Sequence, residues 1–248
     1  MKIAIVLPAV SLFSATRPNS METVIRTLAA HARPNETIRI FCDAGADDHG
    51  DLDVQTIPNG PDRMAAMVKA LKAWDPDIIE FHQHVQSASH IARRFPGKTR
   101  LLYRHNDVKA PRSLIGRWRY AHRHQPFEGF VFVSDASRQT FVRDYPSLAD
   151  RAFTIRNPID AEQWRGVPGP RENRIVFAGR AIPEKGLDLL CEALPSVLNA
   201  HPDWRATLFW ATGANMPTGR GRMSNGCWPR RIRSMSIGTR AWPRFRPA

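Results

Sequence analysis

The chain has 248 residues, 42% of them hydrophobic, enough to bury the core of one large domain or two ordinary ones. Its formal net charge of +13 first suggests nucleic acid or an anionic membrane, but residues 211–248 hold eight arginines and no acid, leaving a body of 28 basic and 23 acidic side chains at +5. Cys42, Cys191 and Cys227 form no CxxC or Cys/His cluster, which argues against a zinc site or disulfide framework and for a reducing compartment, and no apolar run approaches the roughly eighteen residues of a membrane span.

Residues 1–15 have one lysine and an apolar stretch, as a weak signal peptide does, but Pro8 interrupts the run, so Lys2–Leu7 is read as a buried first strand. Ser20 is placed to cap a helix whose apolar face is Met21, Val24, Ile25, Leu28 and Ala29. Strands are expected at Thr37–Cys42 and Leu52–Ile57. Pro61 then opens a helix faced by Met64, Met67, Val68 and Leu71. Further on come a strand at Ile78–His82, a helix near Ser87–Phe95, a strand at Arg100–His105, a basic helix around Arg112–His124, a strand at Phe130–Ser134, a helix at Asp135–Tyr145 and a strand at Phe153–Arg156. This alternation predicts an α/β fold, a doubly wound parallel sheet over residues 1–156.

Residues 157–173 carry three prolines and two glycines and read as a linker. A second βα series follows over 174–210: a strand at Arg174–Ala178, a turn, a helix over Leu187–Asn199 and a strand at Arg205–Trp210. The helix stripe of Leu187, Leu190, Cys191, Leu194 and Leu198 faces a sheet. Residues 211–248 show neither a strand nor a helix period, and we expect an irregular Arg-rich tail, as from a gene read out of frame. A complete second Rossmann-like domain needs more than the forty or so structured residues after the linker, so an incomplete one is expected.

The turn in "FAGRAIPEKGLDLL", residues 177–190, places Arg180 and Lys185 between a strand and a helix N-terminus. Ligands of α/β proteins bind at such turns, and two cations beside a helix N-terminus suit phosphate. A guanidinium offers a planar fork of donors and an ammonium a mobile point charge.

"VFAGRAIPEKGLDLLCEAL", with "VFVSDASRQTF" and "FTIRNPID" before it, resembles the retaining glycosyltransferases of family 4, also called group 1. The resemblance covers roughly residues 1–210. It implies the GT-B fold of two Rossmann-like domains, with acceptor on the first and nucleotide-diphosphate sugar on the second, and it assigns the donor diphosphate to Arg180 and Lys185. It implies a catalytic-site role for His82, at the end of "DIIEFHQH", near the transferred sugar. Further cleft candidates are Asn19, Ser20 and Glu22, standing where the family has a glycine-rich loop; His105, Asn106 and Asp107 in "YRHNDV"; Ser134; and Asn157. Glu80 stands where the family has a first histidine, and Pro158 where it has a glycine. The family's late pair of glutamates, spaced by seven residues, is not matched, since Glu184 and Glu192 have that spacing but flank the Lys-Gly turn. Reduced activity is therefore expected.

No metal or cofactor is expected; Asp51 and Asp53 have an Asp-x-Asp spacing, but in a polar loop. Arg112, Arg117, Arg119 and Arg123 share a helix with Ile115, Trp118 and Tyr120, a composition suited either to an anionic membrane or to a solvated face. Three readings stay open: a sugar transferase acting on a glycan or lipid-linked acceptor, placed in the cytoplasm with peripheral contact at the inner membrane face; a non-catalytic descendant of one; and, ranked last, a nucleic-acid-binding protein using the tail, where Trp228, Trp242 and Phe245 lie among arginines without an RRM, KH or OB pattern.

Overall fold

The computed structural model describes residues 1–211, apart from 17, 109, 110, 112, 163, 167, 168, 181 and 182, together with 235–237; of Arg180, Trp210, Ala211 and residues 235–237 the backbone alone is described. It divides into two units, Met1–Arg165 and Gly166–Ala248, the boundary falling inside the proline-rich segment 157–173. Among the described residues no helix is long and apolar enough to cross a membrane.

In the first unit the elements run β1 (Lys2–Val6), α1 (Ser20–Ala30), β2 (Thr37–Asp43), β3 (Val54–Ile57), α2 (Arg63–Trp74), β4 (Ile78–His82), α3 (Val85–Ala92), β5 (Thr99–Arg104), α4 (Leu114–His124), β6 (Gly129–Phe132), α5 (Asp135–Asp144) and β7 (Ala152–Thr154). The strands form one seven-stranded sheet in the order β3-β2-β1-β4-β5-β6-β7. All its pairings are parallel, with Ile5 opposite Ile40 on one side of β1 and Glu80 on the other, and His82 opposite Tyr103 between β4 and β5. A parallel sheet is covered on both faces, and the period of two shows it. Ala4 and Val6 join one apolar cluster with Phe41, Phe81, Phe130 and residues of α2, α3 and α5, whereas Ile5 and Leu7 join a second with Phe13 and Ile25 of α1. Each fully buried Phe or Ile contributes about 1.5–3 kcal/mol over an exposed one.

Several boundaries differ from the sequence reading. The cap of α1 is Asn19, not Ser20: the Asn19 side chain accepts from the Glu22 amide at 3.0 Å, and the Glu22 carboxylate accepts in return from the Asn19 backbone. This capping box satisfies two N-terminal amides at once, and a serine one residue later cannot do so. The third strand begins at Val54, after Asp53 is drawn into an ion pair with Arg39 at 2.9 Å. α2 starts at Arg63 rather than Pro61, and Met64 in its first turn is 39% exposed while Met67 and Leu71 are buried. α4 begins at Leu114 because the Ser113 hydroxyl accepts from the Gly116 amide at 3.1 Å.

The second unit contains β8 (Arg174–Arg180), α6 (Leu187–Ala200), β9 (Arg205–Ala211) and β10 (Met235–Ile237), with a three-residue 3-10 helix at Pro183–Lys185. Its sheet runs β10-β9-β8, all parallel. Leu187, Leu194 and Leu198 of α6 pack on Ala206 and Leu208, with Leu190 and Cys191 beside them. Two expectations are corrected here. Gly179 and Arg180 belong to the strand, since β8 stays in register with β9 as far as Arg180 opposite Ala211. The tail 211–248 is not irregular throughout, because Met235–Ile237 pairs with Ala206–Leu208 as a third strand; the rest of the tail lies outside the described residues.

Candidate functional site

In a doubly wound sheet ligands bind beyond the carboxyl ends of the strands where the chain order reverses. Here that point lies between β1 and β4. The β1 loop crosses it under tight control. Asp43, 1% exposed at the end of β2, accepts from the Val10 amide at 2.7 Å and forms an ion pair with Arg63, whose Nη2 donates to the Leu7 carbonyl at 3.0 Å. Phe13 is fully buried at a φ of 56°, and its carbonyl accepts from Arg26 at 3.0 Å. That guanidinium stacks 4.2 Å above the Phe13 ring. Burial pushes the Glu22 carboxyl above the usual carboxylate range, opposed by its capping bonds and by Arg26.

β4 ends in a buried histidine. His82 is 2% exposed and its Nδ1 lies 2.8 Å from Nε2 of His105. Tyr103, directly opposite His82 in the sheet, stacks on both rings at 5.0 and 4.9 Å. Burial, with His82 and Arg104 nearby, pulls the His105 pKa down to about 3, so its ring is neutral at physiological pH. The other His82 nitrogen, Nε2, has no hydrogen-bond partner among the described residues and stands 3.8 Å from the Glu80 carboxylate. His82 also lines a void of about 10 Å³ with Leu7, Pro8 and Arg63, room for about one water.

Beyond His82 the chain turns sharply. Gln83 takes a left-handed φ of 72°, a conformation that costs a non-glycine residue about 1 kcal/mol or more. It is held by three bonds. Its amide donates to the Tyr103 carbonyl at 2.9 Å, its side chain accepts from the His105 amide at 3.0 Å, and its carbonyl accepts from Arg104. The turn delivers the chain into α3, whose N-cap, His84, makes no side-chain capping bond. An open cavity of about 570 Å³ lies there, lined by Gln83, Gln86, Ser87, His90, Arg104 and Arg123 among others.

The predicted site residues fall into separate groups. His82 and His105 are brought together. Asp107 and Ser134 are joined through Ser137: the Ser137 amide donates to the Ser134 hydroxyl at 3.1 Å, that hydroxyl donates to Ser137 Oγ at 2.9 Å, and Ser137 Oγ donates to Asp107. Ser134 thereby caps α5. Asn19 and Glu22 spend their polar atoms on each other, while Ser20 is exposed in the first turn of α1. Asn106 is exposed after β5, and Asn157 on the coil after β7. In the second unit Lys185 is exposed, and its stem passes 3.9 Å from where a Cβ on Gly179 would stand. The Arg180 side chain lies outside the described residues. Glu184 sits in the short turn before α6 and Glu192 within α6. The sequence reading missed Arg104, Arg63 and Asp43. Among the described residues no group of three or more His, Cys, Asp or Glu is placed to hold a metal.

A parallel doubly wound sheet with buried polar groups at its switch point, followed by a second βαβ series, defines a Rossmann-like α/β protein of GT-B architecture. The chain belongs to Glycosyltransferase Family 4, whose family model matches residues 21–163, more than half of its length. No curated protein matches it. Among solved structures it is similar to HepE from Anabaena in complex with UDP-glucose, with a TM-score of 0.60 at 16% identity over 83% of this chain and 60% of that one. It is also similar to the catalytic domain of starch synthase IV from Arabidopsis thaliana bound to ADP and acarbose (TM-score 0.56, 13% identity, 84% and 68% covered). A third similar structure is UDP-GlcNAc 2-epimerase from Neisseria meningitidis bound to UDP-GlcNAc (0.53, 12%, 87% and 67%). At these identities the likeness concerns the fold, and the chain spans about three fifths of the length of HepE.

Proposed function

We propose that the chain is a sugar transferase of the retaining type, acting from a nucleotide-diphosphate sugar onto a glycan or lipid-linked acceptor. The bond from the anomeric carbon to the diphosphate breaks, a bond to an acceptor oxygen forms, and the acceptor loses its proton. The diphosphate gains negative charge as it leaves, so fixed positive charge at that point lowers the barrier. The observation that carries the reading is the strand–turn–helix of 174–200. Lys185 lies exposed beside Gly179 and immediately before α6, whose N-cap, Gly186, offers no side chain to its amides. A helix N-terminus left open next to an ammonium suits a diphosphate. Arg180 is assigned the second diphosphate contact.

On the first unit His82 is given the sugar-facing role. Its Nδ1 is fixed by His105, and its Nε2 is buried without a hydrogen-bond partner among the described residues, so a sugar hydroxyl reaches it only by displacing the groups that cover it. Glu184 lies in the short turn before α6 and Glu192 within α6, so neither is assigned a donor-site role. Calorimetric titration with UDP- and GDP-sugars tests the donor side. Binding that Lys185→Ala and Arg180→Ala each weaken is expected; identical binding in the wild type and both variants would remove the diphosphate assignment.

One observation favours peripheral membrane contact as part of this reading. On α4, Leu114, Ile115 and Trp118 are 84%, 67% and 68% exposed, with Arg119 exposed beside them. Apolar side chains flanked by arginine suit an anionic bilayer surface. Sedimentation with phosphatidylglycerol vesicles should fall for Trp118→Ala, and equal sedimentation would count against it.

A further inference from the structure

Arg104 ends β5 with its side chain almost out of solvent, 8% exposed. Among the described residues only one of its side-chain nitrogens, Nη1, is engaged, by the Gln83 carbonyl, and its buried Nε has no partner there. Among the described residues no carboxylate stands by to balance the charge. A buried cation without a counter-ion is costly to fold around, so its retention calls for an anion at that point.

The surroundings offer room for one. The 570 Å³ cavity that Arg104 lines also takes in Gln86 and Ser87 of the first turn of α3 and the half-buried Arg123 of α4. The first three amides of a helix have no partner within it, and those of α3 receive no side-chain cap. The Ser87 hydroxyl is turned to the His84 carbonyl at 3.3 Å rather than to an amide. Among the described residues the lining contains no Asp or Glu, and its His84 and His90 are exposed. A strained Gln83 holds this end of α3 against Arg104. Amides along a helix axis and two guanidinium groups from neighbouring elements present several donors to one tetrahedral anion. The volume suits a ligand the size of a sugar phosphate.

We propose that this cavity binds a phosphate group carried by the acceptor. The inference rests on the transferase reading only in calling the ligand an acceptor; the binding itself needs no donor and no turnover. The phosphate can belong to a lipid headgroup or to a soluble phosphorylated sugar, and the binding chemistry is the same.

Inorganic phosphate titrated into the full chain, against chloride at equal ionic strength, should bind. Arg104→Gln should weaken that binding about tenfold or more, the loss of a charge-assisted contact. Because a change at a buried position can disturb folding, Gln86→Glu serves as a second variant. Gln86 is exposed in the first turn of α3, where a carboxylate suits the helix while repelling the ligand, so the fold is kept and binding again falls about tenfold. Competition by phosphatidylglycerol vesicles but not by glycerol 3-phosphate supports a lipid acceptor, and the reverse supports a soluble one. Phosphate binding no stronger than chloride, binding unchanged in Gln86→Glu, or competition by neither ester overturns the proposal. Sugar transfer to an unphosphorylated acceptor, persisting without phosphate binding, would leave the transferase reading standing while this one fell.

Discussion

The two units treat charge in opposite ways. In the first, Glu22, Asp43 and Arg104 are all buried, each 8% exposed or less. In the second, the described buried side chains are apolar, Leu187, Leu194, Leu198, Ala206 and Leu208, and its charged turn is exposed. Buried charge fixes geometry before a ligand arrives and is expensive to disturb, whereas exposed charge is cheap to change and acts only when a ligand covers it.

The largest test of this contrast is the Asp43–Arg63 pair, whose side chains are 2% and 12% exposed. Arg63→Met leaves Asp43 buried with its charge unbalanced, and we expect a loss of about 3–5 kcal/mol in urea unfolding. The Val10 amide is bonded to the same carboxylate, so the β1 loop should exchange its amide protons faster in the variant. A loss below about 0.5 kcal/mol, the range of surface changes, would show that the pair does not organise the switch point.

His124 provides the next. It is 1% exposed, its Nδ1 is 2.8 Å from the Tyr120 carbonyl, and Phe130, Phe141 and Tyr145 surround it. Burial lowers its pKa from 6.5 to about 4. Above the ordinary value both folded and unfolded forms are neutral, and this residue adds no pH dependence. As pH falls below 6.5 the unfolded chain takes up a proton that the folded one refuses until about pH 4. Stability is therefore lost across that window, by about 3 kcal/mol at its foot. His124→Phe should flatten this part of the profile; an unchanged slope would assign the acid sensitivity elsewhere, to His105 first.

Helix ends make the comparison finer. α1, α4 and α5 are capped by Asn19, Ser113 and Ser134, while α2, α3 and α6 have no side-chain cap. Asn19→Ala should cost about 1 kcal/mol by removing a cap, without altering phosphate binding. An effect on ligand binding would return Asn19 to the site, where its sequence position first put it.

Much of this architecture was legible in the sequence. Apolar runs such as "KIAIV" and "GFVF" gave the strands, because a parallel sheet buries both faces of its strands. His82 and His105 were both candidates, yet their contact depends on β4 and β5 lying side by side with His82 opposite Tyr103, which no local pattern encodes. Asn19 and Ser20 are both cap-forming residues, and only the return bond from Glu22 separates them. Arg104 and Arg63 were invisible as buried groups, since an arginine at an element's end usually reaches water; Arg104 instead turns to the Gln83 carbonyl. Met235–Ile237 was missed because three residues are too short a run to show a period.

The smallest effect is the most informative about the second unit. Lys185 is exposed in a short turn, with its stem beside Gly179, and has no buried partner among the described residues. Lys185→Ala should therefore change stability by less than about 0.5 kcal/mol. If the ammonium serves the diphosphate, nucleotide-sugar binding should nevertheless fall in that variant, so function and stability would separate at this residue. They cannot separate at Arg63, where the charge holds the fold. Should Lys185→Ala instead unfold the second unit, the lysine is a structural prop of the β8–α6 turn. The contrast between preformed and mobile charge then fails at the point where it was drawn.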